Sequence, residues 1–200
     1  MSIFLEERKG IYRLKVPFEN IYTSVFLIKT KTGIVVVDCA SSEEDVDRYI
    51  FPAIREMGYL PSDIEALILT HRHSDHAGGL ARFLELVPNL NIITEEGEVC
   101  DGIFTYPLPG HTEDFIGVLV SDCRTLISGD GLQGAGVDKY RTSLKLPHRY
   151  LETLDKVASD ERVENLLFSH AYEPWNCDVA FGRETVLSCV EACKKYVKEF

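Results

Sequence analysis

The 200 residues include one tryptophan and two methionines, with no C-x-x-C pair and no apolar run near the roughly 18 residues that a membrane span requires. The opening "MSIFLEERKG" puts glutamates where a secretory signal needs an apolar core. Neither membrane insertion nor export is expected, and the chain reads as cytoplasmic. Basic residues are scarce: 21 Lys and Arg stand against 32 Asp and Glu, a formal net charge of -11. Binding a phosphate backbone calls for clustered Lys and Arg, so nucleic acid is not an expected partner. The two closest of the six cysteines, Cys189 and Cys193, lie one helical turn apart, where Cβ vectors run parallel and seldom bridge. Cys39, Cys100, Cys123 and Cys177 complete the set, which reads as reduced thiols and not as a disulfide framework.

The remaining composition, 45% hydrophobic and 26% charged, suits one soluble α/β domain over residues 1–200. Three β-branched runs open it: "IYRLKV", "YTSVFLIKT" and "GIVVVDC", the last two separated by the turn signal "KTG". "SSEEDVDRYIFPAIREMGY" follows, with a serine N-cap, acidic residues in its first turn and apolar positions at helical spacing. "PSDIEALILT" returns as a strand, completing a β-α-β unit. Further on, "GGLARFLELV" reads as a helix, "NLNIITEE" as a strand, and "FIGVLVSDCRTLISG" as two strands meeting at Ser121-Asp122. "LPHRYLETLDKVASD" is a helix, "VENLLFS" a strand, and residues 178–200 a closing amphipathic helix.

The two halves repeat one pattern. An apolar strand ends in an aspartate (Asp38, Asp130), a helix crosses over, and the next strand ends in a histidine (His71, His170). Such a duplication stacks two mixed β-sheets with helices outside, an αββα sandwich, and brings polar strand ends to one edge, where an active site is expected.

Only six histidines are present, and three fall within "LILTHRHSDHAGG" beside an aspartate. His71 and His73 are separated by one residue, so on an extended tail they point the same way, while Asp75 and His76 can turn back toward a neighbouring point. One turn can thus serve two metal positions. Imidazole and carboxylate suit a borderline divalent ion such as Zn²⁺, and a catalytic site keeps a coordination place open for water. The turn is short of ligands for two ions, and other strand ends offer more: His111 in "LPGHTEDF", Asp130 in "LISGDGL" and His170 in "LLFSHAYEP". A histidine or aspartate alone in a loop is more often a solvated side chain or a cap. Crowding three imidazoles and a carboxylate without a metal, however, is costly.

"HRHSDH" followed by "PGHT", "SGD" and "SH" resembles the metallo-β-lactamase-fold hydrolase superfamily, from the "VVVDC" strand to the helix after His170. The resemblance implies that His71, His73 and His111 hold one metal, that Asp75, His76 and His170 hold a second, and that Asp130 bridges them. It implies two divalent ions, Zn²⁺ first, with iron or manganese as the alternatives. Asp38 stands where the family often has "DTG" and this chain has "DCA"; it is implied to lie beneath the site. After His111 the family's common Pro-Gly is replaced by Glu113-Asp114. The implied chemistry is hydrolysis by a metal-bound hydroxide, whose pKa falls to about 7 from about 15.7, with Asp75 orienting it or carrying a proton.

Within the superfamily, a carboxylate at Asp130 resembles the glyoxalase II, lactonase and ribonuclease Z branches more than the zinc β-lactamases. Glyoxalase II relatives carry a C-terminal helical extension, against thirty residues after His170 here, and ribonuclease Z relatives a tRNA-gripping arm. The 34 residues between His76 and His111 have room for one helix and two short strands. The expected substrate is therefore a small ester, lactone or simple thioester. Its pocket wall would be the Gly131–Tyr150 segment, with Tyr140 and His148 as substrate-binding candidates; the expected partner is that small molecule, and both a monomer and a homodimer stay open. An iron oxidoreductase or persulfide dioxygenase on the same fold, and a non-catalytic metal-binding module, are the competing readings.

Overall fold

In the computed structural model, residues 3–132, 144–172 and 177–198 are described. They form two compact units. The first comprises residues 1–94 and 99–101, the second residues 95–98 and 102–200.

The first unit is built on a six-stranded sheet in sequence order: β1 (Leu5–Arg8), β2 (Ile11–Phe18), β3 (Ile21–Lys29), β4 (Ile34–Val37), β5 (Ile64–Ile68) and β6 (Ile92–Ile93). The first four pair antiparallel, and β4, β5 and β6 run parallel. The β4 to β5 crossover is helical. It consists of α1 (Glu43–Asp45), a π-turn (Val46–Ile50) and α2 (Phe51–Glu56). Ser42 caps it as expected, its hydroxyl accepting from Asp45 N. Alternate strand residues (Leu14, Val16, Val25, Leu27, Val36) bury against Val46, Ile50, Phe51 and Ile54 of the crossover and Phe83 of α4 (Leu80–Leu86). The intervening residues Ile11, Phe26, Ile28, Val35, Val37 and Ile68 are buried too. That is why "GIVVVDC" reads as a continuous apolar run and not as an alternation.

The other six-stranded sheet has the order β12-β11-β10-β9-β8-β7 and belongs to the second unit except for Val99 and Cys100 of β7. In chain order these are β7 (Glu98–Cys100), β8 (Ile103–Pro107), β9 (Ile116–Val120), β10 (Thr125–Ile127), β11 (Asn165–Tyr172) and β12 (Cys177–Phe181). The pair β10 and β11 is parallel; β8 with β9, β9 with β10, and β11 with β12 are antiparallel. The helices α5 (Pro147–Ser159) and α6 (Arg183–Lys198) cover one face. There Tyr150, Leu154, Val157, Val186, Val190 and Cys193 meet Tyr106, Leu119, Leu126, Leu166 and Phe168.

Two sequence expectations change. Residues 177–181 are the edge strand β12, so the closing helix begins only at Arg183. Between His76 and His111 there are three short strands, β6, β7 and β8, where two were expected. All six cysteines are free thiols. No helix among the described residues is long and apolar enough to cross a membrane.

Candidate metal centre

In the first unit the donors follow β5. The chain leaves the sheet at Ile68, and His73, with extended backbone, precedes the one-turn helix α3 (Ser74–Ala77), which carries Asp75 and His76. This turn is fastened backbone to backbone onto the segment after β4, because Cys39 N donates to His76 O and Gly78 N to Ala40 O. Asp38 and Ala40 adopt φ of 63° and 60° to make that fit, a strained conformation for residues other than glycine.

Asp38 is buried, and its carboxylate organises the histidines. It accepts from Thr70 N (2.8 Å), from the Thr70 hydroxyl (2.9 and 3.0 Å) and from His76 Nδ1 (2.7 Å). The Thr70 hydroxyl has one proton and gives it to Asp38, so its oxygen accepts from His71 Nδ1 at 3.1 Å. Both rings are thereby set as Nδ1-protonated tautomers, with Nε2 as the lone-pair nitrogen, the arrangement that second-sphere groups impose on metal-binding histidines. His71 Nε2 lies 3.0 Å from His73 Nδ1, and His76 Nε2 lies 3.2 Å from Asp75 Oδ2. Ligand atoms about 2.0–2.1 Å from a tetrahedral Zn²⁺ sit roughly 3.3 Å apart, so both pairs suit a shared cation.

In the second unit, His111 lies in the loop after β8. That loop is closed by Leu108 N donating to Phe115 O (2.9 Å) and Gly110 N donating to Thr112 O (3.0 Å). Asp130 sits in the 3₁₀ turn Gly129–Gly131, where Gly129 takes φ of 53° and a Cβ on Gly131 would press on Leu108 and Phe115. His170 lies in β11 where the register against β12 shifts, between Leu167 and Tyr172. All three side chains are buried. Asp130 faces two imidazoles at once: Oδ2 is 3.7 Å from His111 Nε2 and Oδ1 is 3.4 Å from His170 Nε2. These separations are too long for good hydrogen bonds and close to those between neighbouring ligands of one ion.

His71, His73, Asp75 and His76 thus share one turn, and His111, Asp130 and His170 form a second group. Five imidazoles and two carboxylates match two divalent ions in chemistry, without fixing which metal. His148 is exposed on the first turn of α5 and belongs to neither group. Tyr140 lies outside the described residues. Sequence reasoning missed Thr70. The available signal was a hydroxyl residue directly before a strand-end histidine, a position that Ser169 repeats before His170.

Residues 20–99 match the family described as the Metallo-beta-lactamase superfamily. Among curated proteins, a hydroxyacylglutathione hydrolase of Francisella philomiragia is 28% identical over 136 residues, 60% of this chain and 54% of that protein. Its counterpart in Francisella tularensis subsp. holarctica is 26% identical over 174 residues, covering 78% and 66%. The chain therefore spans about half to two thirds of the length of these relatives. The metallo-β-lactamase FIM-1 of Pseudomonas aeruginosa superposes with a TM-score of 0.77 at 16% identity, over 99% of this chain and 95% of that one. A metallo-β-lactamase family protein of Thermus thermophilus gives 0.73 at 16% identity over 97% and 81%. At such identities these structures speak to the fold, and they bear out the fold class expected from the sequence.

Proposed function

We propose that this chain, whose residues 20–99 match the metallo-β-lactamase superfamily, is a dinuclear metal-dependent hydrolase. In this reading His71, His73 and His111 would hold one ion and Asp75, His76 and His170 the other, with Asp130 shared. The observation that carries the proposal is Asp130, whose two carboxylate oxygens are each directed at a different histidine. A single carboxylate disposed in this way suits a bridge between two ions better than a turn or a cap. Bound ions would polarise the substrate's scissile carbonyl and supply an acidic water. The chain's own residues supply the rest. Asp38 and Thr70 fix the His71 and His76 tautomers. Asp75, in the first turn of α3, is the carboxylate suited to take a proton from an attacking water.

The substrate class we favour is a small ester, lactone or thioester. Hydroxyacylglutathione is a thioester, so the curated relatives put thioesters first. The six free thiols support a cytoplasmic setting. Elemental analysis of the purified protein should give close to two equivalents of divalent metal, Zn²⁺ favoured. Asp130→Ala should lose both, and a panel of thioesters, esters, lactones and phosphodiesters should show turnover of the first three. One equivalent of iron, retained in Asp130→Ala with no hydrolysis of any of these substrates, would overturn the proposal in favour of the redox reading.

A further inference from the structure

The loop that presents His111 begins "YPLPGH", and the two prolines leave it without amide donors at 107 and 109. Pro107 closes the pairing of β8 with β9, opposite Ile116, and Leu108 N still donates to Phe115 O one step later. The carbonyls of Pro107 and Pro109 are both taken up by α5. Thr153 Oγ1 donates to Pro109 O at 2.7 Å, and Lys156 Nζ donates to Pro107 O at 3.1 Å. Thr153 and Lys156 are three residues apart and so lie on one helix face. Before that helix begins, Leu146 N donates to Gly110 O at 3.0 Å. Tyr150 lies against Gly110 so closely that a Cβ there would come within 2.7 Å of it.

The helix therefore grips three of the four residues before His111. Thr153 is buried and makes the shortest of these bonds, whereas Lys156 is exposed and holds its ammonium 4.1 Å from the Tyr106 ring centroid. Partial desolvation of its ammonium beside Tyr106, with Arg162 adding to it, lowers the Lys156 pKa, although Glu96 and Asp160 oppose that shift. An ammonium so placed gains from a nearby carbonyl oxygen.

We propose that Thr153, assisted by Lys156, is a positioning residue for His111, fixing the Pro107–Gly110 segment so that the imidazole is preorganised for its ion. The proposal rests on the metal-site reading above. Its test uses the zinc-loaded full chain, with release of zinc to a chromogenic chelator as the readout and melting of the metal-free protein as the control. Thr153→Val removes the donor at nearly constant volume and should speed release of one equivalent about tenfold, the scale on which groups behind a ligand act. The other equivalent should stay unchanged, and the metal-free melting temperature should fall only by the few degrees that the loss of one hydrogen bond brings. Thr153→Ser keeps the hydroxyl and should behave as wild type, and Lys156→Met should show a smaller acceleration of the same phase. Unchanged release in Thr153→Val, equal acceleration of both phases together with a larger fall in melting temperature, or a failure of Thr153→Ser to rescue would overturn it. A wild-type chain that binds no zinc would instead overturn the metal reading. The His111 ring resonances of the metal-free protein would then decide the positioning: displacement in Thr153→Val but not in Thr153→Ser upholds it, and identical spectra overturn it.

Discussion

The two strand-end regions solve the same problem with different materials. In both, a parallel strand pair presents a histidine three residues beyond an equivalent bond. Asp38 N donates to Ile68 O ahead of His71, and Ser128 N donates to Leu167 O ahead of His170. By that register His71 and His170 are counterparts, but Asp38 and Asp130 are not. The residue equivalent to Asp38 is Ser128, and Asp130 lies two positions further along, where the first unit has Ala40. The aspartate equivalence expected from the sequence repeat is thus corrected by two residues. One half uses its strand-end carboxylate behind the histidines, to orient them. The other places its carboxylate between two of them, His111 and His170.

This difference predicts unequal costs at equivalent positions. Asp38→Ala leaves the Thr70 amide and His76 Nδ1 buried without their acceptor, and should destabilise the protein by about 3 kcal/mol or more. Ser128→Ala removes only one 3.3 Å bond to Leu167 O and should cost less than about 1 kcal/mol. Urea unfolding of the two variants measures both. Equal costs would mean that the strand ends are interchangeable after all.

The glycines sharpen the contrast at the next level of effect. A Cβ on Gly78 would overlap the Ser41 carbonyl, main chain against main chain, in the zipper that holds the histidine turn. At Gly110 it would meet Cβ, Cδ2 and the main-chain Cα of Tyr150 at 2.7–2.9 Å, with the backbone at φ of 153°, a region that L-residues seldom adopt. Neither neighbour is the free end of a side chain, but the approach at Gly78, onto the Ser41 oxygen, is the closer. Both alanine variants should therefore cost about 3 kcal/mol or more, Gly78→Ala the more of the two. Thermal melts of the metal-free variants in parallel give the order.

Much of this was legible in the chain, because the signals were local. β-branched apolar runs and turn residues marked β2 to β5, the Ser42 cap marked the crossover, and "HRHSDH" marked the histidine turn. The illegible parts depend on distant partners. β7 and β12 are short edge strands whose pairing comes from neighbours and not from their own pattern; a turn signal, Gly182 with φ of 87°, does separate Cys177–Phe181 from the closing helix, but one glycine is tolerated in a helical pattern and does not by itself mark a strand. The role of Thr70 requires knowing that Asp38, 32 residues earlier, lies beside it. The bonds of Thr153 and Lys156 to the proline carbonyls span more than 40 residues and follow no spacing rule.

The smallest expected effect concerns acid. Behind the second unit's sheet, Asp160 accepts from Arg162 through both Nε and Nη2 and from the Tyr106 hydroxyl. The Arg162 guanidinium is the main cause that brings its pKa from the ordinary carboxylate value down to about 2. A carboxyl group whose folded pKa is depressed binds fewer protons than in the unfolded chain between those two values. The stability it contributes is therefore complete above about pH 4 and declines as pH falls toward 2. In the first unit, Asp101 is lowered in the same direction by Lys31, but on an exposed surface where solvent and salt screen the pair. Asp160→Asn should thus lower stability near neutral pH by less than about 1 kcal/mol, Arg162 being mostly exposed, and by progressively less below pH 4. Asp101→Asn should be closer to neutral throughout. Unfolding titrations of both variants between pH 7 and pH 2.5 test this. A penalty for Asp160→Asn that stays constant across that range would show that the loss is one of packing against Tyr106 and not of charge.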